Sequence, residues 1–595
     1  MLRCALHNGR IYRHNDPAKP HSHQLHIMKH TPLLLAFLAL TSAAPAHAQG
    51  KVKVKTKPAS GAAATKIRTT TGKTTTGKTT GNATGNATGK DWSVPYASQV
   101  NAERLRAHLA VLASDEYEGR ETGQKGQHMA ADYVAKQFKT AGLTGPVTTG
   151  TDPYQQHFDV EQVTWAEGNT LKVGSTSYEW LTDFYGLSDS PFGQETSVKP
   201  VFVGYGIEQA GYSDYANVDV KGKDILVLLG EPTGDGGKAL LSADGAPTKW
   251  GADYRGKAQL ATQKGARTVF FVSFNPTSNF AKQAGRMAPF IARPSMVLVG
   301  NDKPSRVPSF FLSPAVGLAV LGTTDAAMQA YLGKINAAKQ PVAATFSVVP
   351  MQIRAERKRE KLDTQNVLGF IEGTDKKEDI IVLSAHHDHL GKHDGQVFNG
   401  ADDDGSGTSA IITMAEAFAK AKKDGHGPRR SLLFLSVTGE EKGLFGSEYY
   451  SKHPTFPLAQ TEADLNVDMI GRTDVEHEGK PDYVYVIGSD KLSSELRVIL
   501  EAQNKQYGPI DMDYRFDDPN DPNRFYYRSD HYNFAVNKVP VAFFFNGVHA
   551  DYHQQSDEIE KIEFAKMEKR AQLVFHTAWE LANRDGRIVV DSNKP

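Results

Sequence analysis

Cysteine is almost absent from this chain: the single one in 595 residues, Cys4, lies before a second methionine at Met28. With Met28 read as the effective start, the rest of the protein has no thiol, which excludes disulfides, thiolate metal ligands and a cysteine nucleophile. Net charge is missing as well. The 68 basic and 68 acidic side chains cancel, so no global field favours nucleic acid or an anionic membrane surface. No apolar run approaches the ~20 residues that a bilayer-spanning helix needs, and the G-x-S-x-G elbow of serine hydrolases is not found.

What is present falls into blocks. Residues 1–27 are polar and rich in histidine, and are expected to be a non-native or untranslated leader. Residues 28–48 have the layout of a secretory signal peptide: Lys29 and His30, the apolar run Leu33–Leu40, and the small-x-small site Ala46-His47-Ala48. Export to a periplasmic or extracellular compartment is therefore expected. Residues 49–90 are low-complexity Lys/Thr/Gly sequence with too few apolar side chains to offset the entropy of ordering, which predicts a basic tether. Inside it, Gly72–Thr79 fits G-x-x-x-x-G-K-T, but no strand precedes it and no helix former follows, so nucleotide binding is rejected.

Folded sequence begins near Asp91. Leu105, Leu109 and Leu112 recur at helical spacing over Asn101–Ala113, and Ala130, Tyr133, Val134 and Phe138 do so over Met129–Leu143. Residues 198–348 change character: short β-branched runs such as Asp224–Gly230 are separated by Gly, Pro and Asp turns, which predicts an inserted strand-rich module. From Gln365 onward, near-continuous apolar strands alternate with helices (Thr408–Lys422, Gly443–Ser451). The expected fold class is α/β, with a mixed, largely parallel central sheet buried between helices and an inserted β-rich domain. Residues 91–197 and 349–585 form the main domain in this reading, and 586–595 a C-terminal tail.

The chemistry sits where strands end. An apolar run, Ile380–Leu383, delivers His386 and Asp388 to one side by the two-residue period, whereas His387 and His389 fall out of phase and are read as non-ligands. Three consecutive aspartates, Asp402, Asp403 and Asp404, crowd like charge in a way that is costly unless cations neutralise it. An EF-hand is excluded, because counting Asp402 as position 1 puts Thr413 at position 12. Glu440 and Glu441 follow the strand SLLFLSV, Asp468 follows another apolar run, and His553 comes after the strongly apolar Val539–Gly547. Two metal ions that share one carboxylate need a His and a further carboxylate each, plus a free carboxylate to take a proton from water. Asp557 is expected to orient His553, Tyr552 to face a substrate carbonyl, and Asp530 and His531 to hold loops.

The order SAHHDHLG, NGADDDGSG, TGEEKGLFGS, NVDM and DYHQQSD resembles the M28 family of zinc aminopeptidases and carboxypeptidases. The resemblance implies a zinc exopeptidase fold with two Zn2+ per chain, for which Co2+ or Mn2+ could substitute. It makes Asp403 the bridge, with Asp402 as the fallback register, His386 and Asp468 the ligands of one metal, and Glu441 and His553 those of the other. Glu440 becomes the general base, Asp388 a brace for the metal site and Tyr552 an oxyanion donor. The inserted segment is similar to the protease-associated domain of many members. Peptides are the implied substrates, cleaved at the N-terminus. A carboxypeptidase for acidic C-termini is the alternative and would need arginines (Arg472, Arg515, Arg524, Arg528) converging on the cleft. A receptor-like relative without catalysis and a single-metal glutaminyl cyclase are the further readings.

Overall fold

The apolar runs become the centre of a nine-stranded sheet. A computed structural model describes residues 90–300, 306–480 and 482–594. The expected leader, signal peptide and all but the last residue of the tether lie outside the described residues. Four adjacent strands, Arg430–Val437, Lys376–His386, Thr461–Val467 and Val541–Phe545, run parallel. Three of them are buried at every residue, as expected for strands covered on both faces. On one face lie helices Ala102–Leu112, Lys125–Ala141, Gly407–Lys423 and Phe564–Asn583, which share a hydrophobic core with the sheet. The opposite face packs Tyr450, Phe534 and Ala535 against Leu433, Leu435 and Val541. Because the four strands are parallel, their carboxyl ends, at His386, Val437, Val467 and Phe545, open on the same edge.

The flanks are antiparallel, and one of them decides where the insertion goes. Strand Arg357–Ile371 pairs with Arg430–Val437 only from Val367 to Ile371. Its first ten residues therefore run on past the carboxyl edge, roughly 30 Å at the usual strand rise. Gln155–Trp165 pairs along that whole overhang, and Ser295–Leu298 adds a third strand to it. The inserted module thus hangs on the side of the sheet where the parallel strands end.

The insertion is not mainly β, contrary to expectation. It carries helices Tyr254–Gln263, Phe280–Ala292, Pro314–Leu321 and Asp325–Ala338 beside a five-stranded sheet whose centre, Asp224–Leu228, Thr268–Val272 and Ser309–Leu312, is parallel. Crossovers between parallel strands need intervening helices, which is why short β-branched runs did not mean an all-β module. Its core also reaches further, from Leu171 to Ala355, than the expected 198–348. The extra strands, Thr170–Val173, Thr176–Glu179 and Phe192–Val198, sit in one sheet with Met351–Ala355. They are polar enough to read as loop until the pairing is seen. Beyond the main domain, Ile588 is buried and its N–H donates to Glu462, so the C-terminal segment is tied to the sheet.

Candidate metal centre

The carboxyl edge gathers a buried group of acids and histidines. His386 closes its strand, and its Nε2 stands 3.4 Å from Asp403 Oδ1, 3.6 Å from Asp468 Oδ1 and 4.0 Å from Glu440 Oε2. His553 Nε2 stands 3.1 Å from Asp403 Oδ2 and 3.2 Å from Glu441 Oε2. The two oxygens of Asp403 therefore face different histidines, as a bridging carboxylate must. Asp402 is turned away: Gly471 N–H donates to its Oδ1 at 2.6 Å, and its Oδ2 meets His549 Nε2 at 3.1 Å. Asp404 accepts the N–H groups of His386, Gly407 and Met469 and serves to knit three loops.

Metal occupancy can be tested against atoms that find no other partner. His386 Nε2 and Glu441 Oε1 are buried and have no aligned hydrogen bond among the described residues. Buried polar atoms are very seldom left so. Two sets of donor atoms, His386/Asp403/Asp468 and His389/Asp403/Glu441, each lie within 4.8 Å of one another. Imidazole nitrogens with carboxylate oxygens at this spacing suit zinc.

The neighbours hold these groups in place. Asp388 receives Thr122 Oγ at 2.7 Å and the Glu440 N–H at 3.3 Å, so it ties the His386 loop to the Glu440 loop. His386 Nδ1 meets the Asp388 carbonyl at 3.1 Å, which fixes the ring so that Nε2 faces inward. Burial raises the Glu440 carboxyl well above its usual range; Asp468, Glu441 and Asp530 push the same way, and His386 only partly opposes them. Burial alone would also raise Asp403, but the imidazoles of His386 and His553 close to its two oxygens outweigh it and hold it well below. Tyr552 stacks on His553 at 3.8 Å, and its hydroxyl accepts from Arg528 at 3.1 Å. Burial, then the Asp403 charge, keeps that phenol protonated far above its usual range, so its O–H remains a donor. Met469, Phe525, Phe543 and Phe545 wall the cavity that Tyr552, Glu440 and Asp468 open into.

Two expectations change. Asp557 does not orient His553; its Oδ2 accepts the N–H groups of Asp402 and Asp403 and so positions the bridge. His389, read as out of phase, points into the site, with Nδ1 2.7 Å from Glu441 Oε1. The strand ends at His386, so the two-residue period had no force three residues later. Asp530 accepts from Ser447, on helix Phe445–Lys452, at 2.6 Å, and His531 stacks on Phe543 of the central strand Val541–Phe545 at 4.7 Å.

Three residues escaped the sequence reading. Ser529 Oγ donates to Asp468 Oδ2 at 2.6 Å while accepting from Asn466 Nδ2. Arg120, fully buried, donates to the carbonyls of Leu112, His387, Asn399 and Gly400, and so clamps the two ligand-bearing loops together. Gly400 adopts φ +53°, and a Cβ there would lie 2.5 Å from the His389 ring and 2.2 Å from the Asp403 carbonyl oxygen. The signal for Ser529 was its place beside Asp530; Arg120 lay in what read as a polar loop.

Residues 366–578 match the sequence model of peptidase family M28. A "Probable leucine aminopeptidase" of Arthroderma otae is 28% identical over 263 residues, covering 43% of this chain and 64% of that protein. A "Probable glutamate carboxypeptidase" of Arabidopsis thaliana is 28% identical over 290 residues, covering 45% of this chain and 37% of that one. Both matches span less than two thirds of the relative's own length. Among solved structures, an aminopeptidase from Aneurinibacillus sp. strain AM-1 superposes with a TM-score of 0.50 over 84% of this chain and 98% of that one, at 20% identity. That likeness is one of fold.

Proposed function

We propose, from the premise that residues 366–578 are a peptidase family M28 domain, that this protein is an exported, zinc-dependent aminopeptidase. The observation that carries the reading is the division of Asp403 between His386 and His553, with Glu440 at the rim of the same space. A zinc pair held by His386 and Asp468 on one side, Glu441 and His553 on the other and Asp403 between would polarise the peptide carbonyl and lower the pKa of water.

This chain's own residues do the rest. Glu440, with its raised pKa, takes the proton of the attacking water and returns it to the nitrogen of the leaving amine. The Tyr552 O–H donates to the carbonyl oxygen as charge grows there, and Arg528 holds that hydroxyl in place. Met469, Phe525, Phe543 and Phe545 exclude bulk water and receive an apolar side chain. Asp388, Asp557 and Ser529 keep the acids and His386 in register.

The arginines favour an aminopeptidase over a carboxypeptidase. Arg472 is paired with Asp551 at 2.9 Å, Arg515 with Asp513 at 2.6 Å, and Arg524 lies over the Tyr527 ring. Of the four, Arg528 alone lines the cavity, which is too little to gather an acidic side chain and a C-terminal carboxylate. A panel of N-free and N-blocked peptides tests this: cleavage only with a free amine is expected, and equal cleavage of blocked peptides ending in Glu would overturn it. Export rests on the signal-like segment 28–48 and is tested by fractionating cells that express the chain with and without it. No helix among the described residues is long and apolar enough to cross a membrane.

A further inference from the structure

We propose that His389 is a direct metal ligand, giving the second site four protein donors (His389, His553, Glu441 and Asp403) against three at the first. The inference rests on the zinc reading above and concerns a residue that the five-ligand pattern leaves out. His389 has no exposed surface, and neither ring nitrogen has an aligned hydrogen bond among the described residues. Its Nδ1 lies 2.7 Å from Glu441 Oε1 and 3.9 Å from Asp403 Oδ2. Glu441 Oε1 is equally orphaned. An ordinary N–H···O bond at such a distance would be nearly straight; here both atoms lack that alignment, and donor atoms of His389, Glu441 and Asp403 lie within 4.8 Å of one another. Ligand atoms about 2.0–2.1 Å from a tetrahedral zinc are about 3.3 Å from one another, and the two observed distances bracket that value.

The backbone gives the ring little freedom. The His389 N–H donates to the Arg120 carbonyl at 3.1 Å, and the missing Cβ of Gly400 is what leaves room for the ring. The consequence is an asymmetric pair. A site with four protein donors is closed, as structural zinc sites are, whereas three donors leave a position for water or substrate. The ion beside His386 and Asp468 is then the exchangeable one, and the ion beside His389 is the anchor.

The test uses the full zinc-loaded chain. Metal content after dialysis against increasing chelator should fall in two separate steps, and the X-ray absorption edge of the wild-type protein should show an average of one and a half imidazoles per zinc rather than one. His389→Ala should weaken the tighter step by more than about 100-fold, beyond the 10- to 100-fold typical of residues that merely orient a ligand. His389→Asn should do the same, because an amide cannot replace an imidazole on zinc. Retention of the tight step in His389→Asn but not in His389→Ala would show a hydrogen-bonding role and overturn ligation, as would one imidazole per zinc in the wild type. A wild-type chain that binds no zinc at all would instead defeat the proposed function.

Discussion

Two sheets of the protein have parallel centres built alike, and among the described residues it is the carboxyl edge of the larger one that gathers histidines and acids. In the insertion, strands Asp224–Leu228, Thr268–Val272 and Ser309–Leu312 are as buried as those of the main sheet. The insertion also buries an ionisable group, Lys257, but its ammonium donates to the carbonyls of Tyr205 and Leu228 at 2.8 Å and of Gly230 at 2.5 Å. At the carboxyl edge of the main sheet, by contrast, His386 Nε2, both His389 nitrogens and Glu441 Oε1 lack aligned partners. Architecture is shared between the two regions; the hydroxyls of Tyr215 and Thr268 in the insertion also lack partners but are isolated, whereas at the main sheet's carboxyl edge orphaned histidine and carboxylate atoms are gathered together.

The contrast can be broken at several points. Its largest test is Glu440→Gln, expected to lower kcat by about 10^2- to 10^4-fold while zinc content stays at the wild-type level; near-normal turnover would remove Glu440 from the chemistry. Stripping metal from the wild type should come next in size. Ions that bind the folded state at a thousand times their Kd stabilise by about 4 kcal/mol, so chelator should lower Tm by several degrees, and an unchanged Tm would mean that the orphaned atoms are not a metal site. Ser529→Ala should weaken metal binding by about 10- to 100-fold through a freed Asp468, read by titration with zinc; Ser529→Thr, which keeps the hydroxyl, should restore it.

The smallest effect belongs to the insertion. Burial lowers the Lys257 ammonium to about 7, although Asp214 and Glu231 pull the other way. Above pH 7 the folded protein holds this amine neutral while the unfolded chain still protonates it, up to its ordinary value of 10.5. Stability from this group therefore rises between those two limits and is lost as pH falls through 7. Lys257→Met should flatten that rise in Tm and leave kcat unchanged. A loss of kcat would show that the insertion acts on the site, and the apolar cluster of Phe158, Val160, Leu298 and Phe445, the last four residues beyond Glu441, is the path to examine.

Strand and helix placement in the main domain was readable because burial on both faces leaves a local trace. Asn101–Ala113 was expected and Ala102–Leu112 found; Thr408–Lys422 was expected and Gly407–Lys423 found. His386, Glu440, Glu441 and Asp468 could be picked out because they end or follow apolar runs, Asp403 by the crowding of three aspartates and His553 by the motif order of the resemblance, and the structure brings them within a few ångströms of their partners. The insertion was less readable, since polar edge strands such as Thr176–Glu179 look like loop until a partner strand pairs with them.

By itself, the sequence determined the alternation of strands and helices and the stock of histidines and acids at strand ends, since both follow from side-chain periodicity over a few residues. Only the tertiary structure decided that Asp403 and not Asp402 lies between the histidines, that His389 turns inward, that Asp557 serves the bridge, and that Arg120 clamps loops from remote parts of the chain. Those outcomes depend on backbone turns beyond the end of regular structure and on hydrogen bonds between distant residues, and neither has a local period that a sequence can display.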